Sequence, residues 1–197
     1  MSSKPQNIGL LLGSPRTSSN TSGICTYLLA RLTITHPDLS IHVLSLTAPP
    51  YPLPFEMNIS VPQALDPTSI PSSYSDPRIQ AFSSWVAAMD RIIILTPQYN
   101  WSVPGILKVA IDHLYHEWVR KPIAIMTLGG RGGGKCQDAL RNVFEGTKSQ
   151  LVKERVEFVL PPNVIRTEER IKGDEDWLKE YDEKIAKCVE ELLSVAG

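Results

Sequence analysis

Three short stretches of this sequence combine the side chains and backbone that small anionic or planar ligands require. The first, Gly13-Ser14-Pro15-Arg16-Thr17-Ser18-Ser19-Asn20-Thr21, follows an aliphatic run and concentrates hydroxyls around one guanidinium. Placed ahead of a helix, it suits a phosphate dianion: helix-terminal N–H groups and hydroxyls donate, and Arg16 adds a charge-assisted fork. Ser18, Ser19 and Asn20 are also the residue types that simply cap helices. The arginine, and the position directly after a first strand, weigh toward phosphate.

The second stretch runs from Thr96 to Gly105 and holds Pro97, Gln98, Tyr99, Asn100, Trp101, Pro104 and Gly105. Proline and glycine fix the main chain, so its N–H and C=O groups can meet the edge of a planar heterocycle. Tyr99 or Trp101 can then cover part of a ring face. The competing reading is that both rings fill core at a strand end.

The third stretch, Gly129-Gly130-Arg131-Gly132-Gly133-Gly134-Lys135, has five glycines in six positions. Such backbone approaches a ligand closely and exposes several N–H donors. Its spacing matches G-x-x-x-x-G-K until Cys136, where a phosphate-binding loop needs Ser or Thr for magnesium. A soft thiol is poorly suited to Mg²⁺, and Lys135 occupies the last glycine position of the G-x-G-x-x-G fingerprint.

Other constellations are weaker. His113, His116 and Glu117 lie three and four residues apart, but no H-E-x-x-H or distant third ligand supports a metal site, so an exposed or interfacial helix face is expected. No metal is expected anywhere. No G-x-S-x-G elbow offers a serine nucleophile, and Cys136 reads as structural.

The elements that must position these loops are legible in the periodicity. Aliphatic runs at Ile8–Leu12, Ile41–Leu44, Ile92–Leu95, Ile123–Met126 and Val156–Leu160 alternate with amphipathic stretches. That alternation predicts an α/β domain with a five-stranded parallel sheet and helices on both faces. Asp76-Pro77 pairs an N-cap with a first helical position, ahead of Ile79, Phe82, Val86 and Met89. Leu107, Ala110, Ile111 and Leu114 form a second stripe. A third, Trp177, Tyr181, Ile185, Val189 and Leu192, is backed by the pairs Glu180–Lys184 and Glu183–Lys187. In such a sheet ligands bind beyond the carboxyl ends of the strands, where the three loops fall. Thr47 to Asp76, rich in proline and nearly uncharged, is expected to be an ordered lid or interface segment through Tyr51, Leu53, Phe55 and Met57.

Composition sets the outer limits. A chain of 197 residues, 42% hydrophobic and 21% charged, with no internal repeat, is expected to fold as a single domain over 1–197. Twenty Lys plus Arg against 21 Asp plus Glu argue against nucleic acid as a partner. No run is long enough for a membrane span, and Ile8–Leu12 has neither the length nor the lead of a secretory signal. The scattered cysteines, Cys25, Cys136 and Cys188, read as free thiols in a reducing compartment, and a cytoplasmic protein is expected.

Taken together, Gly13-Ser14-x-Arg16, then Pro97-Gln98-Tyr99-Asn100 with Pro104-Gly105-x-Leu107-Lys108-x-Ala110-Ile111-Asp112, and the glycine loop resemble the NAD(P)H-dependent FMN reductase family. That family is flavodoxin-like, a three-layer sandwich, and includes azoreductases and quinone reductases. The resemblance spans roughly residues 8 to 160. It implies FMN with its phosphate on Ser14, Arg16, Asn20 and Thr21, its isoalloxazine along Pro97, Gln98, Tyr99 and Asn100, and its pyrimidine side near Gly129, Gly130, Gly132 and Gly133, with Arg131 beside them. Trp101 joins Tyr99 as a ring-lining residue. Many relatives carry Glu in place of Gln98 and Asn in place of Val109, which bears on redox tuning. No acid or base residue is required, since the cofactor carries the hydride step. The resemblance also implies NAD(P)H as donor, ping-pong transfer to a quinone, azo compound or free flavin, and a homodimer or homotetramer. Two other classes stay open: a flavodoxin-like electron carrier or redox-sensing regulator acting through a protein partner, and a nucleotide-phosphate enzyme using Gly129–Lys135.

Overall fold

A computed structural model describes residues 6–58 and 60–196. Strands β1 (Gln6–Leu12), β2 (Leu39–Ser45), β3 (Arg91–Pro97) and β4 (Pro122–Gly129) pair in the order β2-β1-β3-β4, all parallel. The order reverses between β1 and β3, so the crevice that doubly wound sheets use for ligands opens at the carboxyl ends of these two strands.

The expected fifth strand is present as β6 (Val156–Val159), and a short strand that was not expected, β5 (Gln150–Leu151), precedes it; both are parallel to β4. The gap between β5 and β6 has an identifiable cause. The backbone N–H groups of Lys153 and Glu154 donate to Glu191 Oε1 and Oε2, each at 2.9 Å, so a carboxylate takes the place of a sheet partner.

Helices α1 (Asn20–Thr35), α2 (Pro77–Ala88), α3 (Gly105–Asp112), α4 (Gly134–Gly146), α5 (Pro162–Arg166) and α6 (Asp182–Ser194) complete the chain. Alternation along the strands divides the core in two. Ile8, Leu10, Ile93, Leu95, Ala124 and Met126 face α1 and α6, while Leu11, Ile92, Ile94, Ile123 and Ile125 face α2, α3 and α4. Asp76 caps α2 as expected, accepting the Arg78 N–H at 2.7 Å. The C-terminal helix starts later than its stripe suggests: Trp177 and Tyr181 lie in a preceding 3-10 turn, Asp176–Tyr181. Of its two expected ion pairs, Glu183–Lys187 forms at 2.6 Å, and Glu180 with Lys184 is absent among the described residues.

The proline-rich segment is ordered against the α2 face. Leu53 and Tyr74 are buried, and Tyr51 meets the Phe82 ring edge-on at 6.2 Å. His113 and Glu117 tie it down, in place of the exposed or interfacial helix face expected for them. Helix α3 ends at Asp112, so the helical spacing does not continue, and both residues are buried. The Tyr74 and Ser83 hydroxyls donate to the Glu117 carboxylate, and His113 Nε2 donates to the Pro54 carbonyl at 2.7 Å. Trp118 is buried in the core and donates to the Ile111 carbonyl at 3.1 Å.

The three cysteines are buried and unbridged. Burial pushes the thiols of Cys25, Cys136 and Cys188 up from an ordinary 9.0 to about 11, about 12 and about 12.

Candidate functional site

The carboxyl ends of β1, β3 and β4 open into a cleft of about 230 Å³. Of the residues singled out in the sequence, Ser14, Arg16, Asn20, Thr21, Pro97, Gln98, Tyr99, Gly129 and Gly130 line it. Asn100, Trp101, Arg131, Gly132 and Gly133 do not.

The first wall separates capping from ligand chemistry. Ser19 caps α1, its Oγ accepting the Ser22 N–H at 3.3 Å. Asn20 and Thr21 therefore sit inside the first helical turn. Asn20 Oδ1 accepts the Ile171 N–H at 3.1 Å, and Ser14 Oγ accepts the Arg16 N–H at 3.2 Å. Thr21 Oγ1 has no partner among the described residues although the residue is only 1% exposed. A buried hydroxyl left unpaired carries a desolvation cost that a ligand oxygen removes. With the free N–H groups of the α1 N-terminus beside it and the exposed Arg16 guanidinium at the rim, this wall fits a phosphate. Arg16 also lies 5.5 Å from the centroid of the Tyr99 ring.

The second wall shows why Asn100 and Trp101 fall outside. Both have positive φ, 46° and 66°, and Tyr99 and Ser102 exchange backbone hydrogen bonds at 3.1 and 2.9 Å across them. Two left-handed residues between a bonded pair form a tight hairpin turn, which throws the central side chains outward. Trp101 is 66% exposed. Gln98 remains in the cleft, and its orientation is fixed: Oε1 accepts the Cys136 N–H at 3.1 Å, which leaves the amide NH₂ available as a donor.

In the third wall, Gly129 and Gly130 border the cleft while the following glycines shape the loop. Gly132 donates its N–H back to the Gly129 carbonyl and accepts from Thr127 Oγ1 at 2.9 Å. Gly133 begins α4 at φ 88°, where a Cβ would lie 2.9 Å from Thr127 Cβ. The loop is therefore not a phosphate-cradling one: the Cys136 N–H is taken by Gln98, and Lys135 lines a separate, adjoining depression of about 630 Å³. That depression shares Gln98 and Gly130 with the cleft and also carries Trp101 and Arg131. Its Asp138 is paired with Arg155 at 2.8 Å, whereas Arg131 and Lys135 have no ion-pair partner among the described residues.

Sequence reading missed a fourth wall: Leu160, Val164, Ile165, Thr167 and Arg170 close the cleft after the last strand. The available signal was positional, since Val164-Ile165 follows the carboxyl end of β6. Among the described residues no cluster of His, Cys, Asp and Glu could hold a metal, and no helix is long and apolar enough to cross a membrane.

Comparisons with known proteins find relatives in sequence and in fold. The chain is 34% identical to the NAD(P)H-dependent FMN reductase LOT6 of Saccharomyces cerevisiae over 151 residues, covering 74% of this chain and 76% of that protein. It is 39% identical to the quinone reductase of Escherichia coli K12 over 72 residues, 34% of this chain and 38% of that protein. The fold matches that of the flavoenzyme NAD(P)H:(acceptor) oxidoreductase FerB of Paracoccus denitrificans with a TM-score of 0.70, at 18% identity, over 96% of this chain and 98% of that one. The family model for NADPH-dependent FMN reductase matches residues 6–161, which contain the first three walls entirely, and the chain belongs to that family.

Proposed function

We propose that this chain reduces a small planar acceptor, a quinone, azo compound or free flavin, in a ping-pong cycle with NAD(P)H at the mouth of the cleft. It is an FMN-dependent NAD(P)H oxidoreductase. The observation that carries the site assignment is the convergence of three strand-end loops on one cleft containing the unpaired Thr21 hydroxyl.

FMN, when bound, supplies the hydride acceptor and donor. The residues do the positioning. Ser14, Arg16 and Thr21 would hold its phosphate at the head of α1. Tyr99 would line the ring system, and Gly129 and Gly130 would let backbone come close to it. The Gln98 amide would be a fixed donor toward the ring, of the kind that stabilises developing negative charge. Leu160 and Val164, both buried, exclude water from the inner side. Arg131, Lys135 and Trp101 line the adjoining depression, which would take the phosphates and adenine of a dinucleotide donor.

Phe55, Val61 and Trp101 are 81%, 66% and 66% exposed, and a second copy covering them gives a homodimer or higher oligomer. Sedimentation at micromolar concentration tests this; a monomer rejects it. Three buried free thiols suit a reducing compartment such as the cytoplasm.

The experiment for the catalytic reading is an anaerobic absorption spectrum of the purified protein. Flavin bands that bleach with NADPH and return with a quinone support it. A flavin that does not respond to NADPH favours an electron carrier, and protein that does not bind FMN overturns it. Parallel double-reciprocal lines are expected for the ping-pong order, and intersecting lines reject it.

A further inference from the structure

Arg170 lies outside residues 6–161, the segment shared with the family, yet it lines the same cleft as Ser14, Arg16 and Thr21. Its guanidinium is anchored on one side. Nε donates to the Ser18 carbonyl at 3.4 Å, and Nη1 donates to the Thr167 and Glu169 carbonyls at 3.2 and 2.7 Å. Nη2 has no protein acceptor among the described residues, and Arg170 makes no ion pair there.

The segment carrying Arg170 is locked onto the first turns of α1. The Ile171 N–H donates to Asn20 Oδ1 at 3.1 Å, and Ile171 itself is buried. Gly23 makes this approach possible, since a Cβ there would sit 1.9 Å from the Ile171 carbonyl oxygen. Asn20, expected as a phosphate ligand, thus holds in place the strap that brings a second cation to the phosphate wall. Thr21 Oγ1, buried on the same wall with no hydrogen-bond partner among the described residues, is an independent sign of a ligand there.

We propose that Arg170 is a second cationic ligand for the FMN phosphate, alongside Arg16 in the same cleft. The proposal rests on the FMN reading above and adds a residue that family membership does not supply. A guanidinium preset by its backbone contacts loses little freedom on binding, and a two-arginine clamp discriminates a dianion from an uncharged ribityl chain.

The test is titration of the full chain, freed of flavin by dialysis, with FMN and with riboflavin, read by flavin fluorescence. In R170A the FMN Kd is expected to rise about tenfold or more, while the riboflavin Kd changes less than twofold. The salt dependence of FMN binding also becomes shallower. R170K keeps the charge without the fork and is expected to fall between wild type and R170A. R170Q keeps a donor for the anchoring carbonyls, so its FMN loss at unchanged melting temperature separates ligand contact from folding. Equal weakening of both flavins in R170A and R170Q, or no change in either, overturns the proposal. Wild-type protein that binds FMN no better than riboflavin instead overturns the phosphate site itself.

Discussion

Gln98 Oε1 accepts the backbone N–H of Cys136 at 3.1 Å, which joins the loop after β3 to the first turn of α4 and aims the amide NH₂ into the cleft. A glutamate here would accept the same N–H but face the flavin with a negative charge. Q98E is therefore expected to lower the midpoint potential of bound FMN by about 30 mV or more, with the fold intact. Equilibration with redox dyes measures it, and an unchanged or higher potential contradicts the orientation.

Thr21 permits a test in which two readouts move oppositely. T21V replaces an unpaired buried hydroxyl with a methyl of the same shape, so the flavin-free protein should gain about 1 kcal/mol in urea unfolding. FMN binding should weaken about tenfold, since the acceptor oxygen loses a donor. Loss of both stability and affinity would mean that the hydroxyl has a protein partner.

Trp101 sits at φ 66° in a turn that favours glycine. W101G relieves the left-handed conformation at the expense of chain entropy, for a net gain of about 0.5–1 kcal/mol in denaturant unfolding. The same change removes an aromatic surface from the depression carrying Arg131 and Lys135, so KM for NADPH is expected to rise while the FMN Kd does not. A rise in FMN Kd would place the ring inside the cleft.

Glu117 accepts from both Tyr74 and Ser83 and fastens the proline-rich segment. E117Q weakens a charge-assisted pair of bonds, and a loss of about 2 kcal/mol with no change in FMN affinity is expected. Calorimetric melting with and without FMN reads both. Wild-type stability would show that the segment is held elsewhere.

The thiols set an alkaline limit. Each folded-state pKa lies above the unfolded value of 9.0, so the folded protein retains protons that the unfolded chain releases. Their contribution to stability is complete below pH 9 and is lost as the pH rises from 9 toward 12. The expected slope is on the order of 1 kcal/mol per pH unit for each thiol. Urea midpoints at pH 8 and pH 10 check it, and a C136A variant should show a smaller drop.

The continuous aliphatic runs located the sheet, and strand order alone brought Ser14, Gln98 and Gly129 together, because parallel strands put their following loops at one end. Contacts distant in sequence were not legible. The break between β5 and β6 depends on Glu191, which lies 38 residues from Lys153. The outward turn at Asn100-Trp101 lacks the glycine that usually signals such a hairpin. Helical spacing of His113 and Glu117 misled because α3 stops at Asp112. Arg170 belongs to no motif: its place follows from Gly23 letting Ile171 approach α1, a steric permission that no local pattern displays.

The sequestered cysteines also bear on the protein's chemical durability. Quinones are soft electrophiles that alkylate thiolates by conjugate addition, and thiolate availability governs that reaction. Cys25, Cys136 and Cys188 are 5%, 0% and 0% exposed and remain protonated through neutral pH. An enzyme that handled such molecules at every turnover would thus offer them no thiolate of its own, and its lifetime would not be limited by arylation at sulfur.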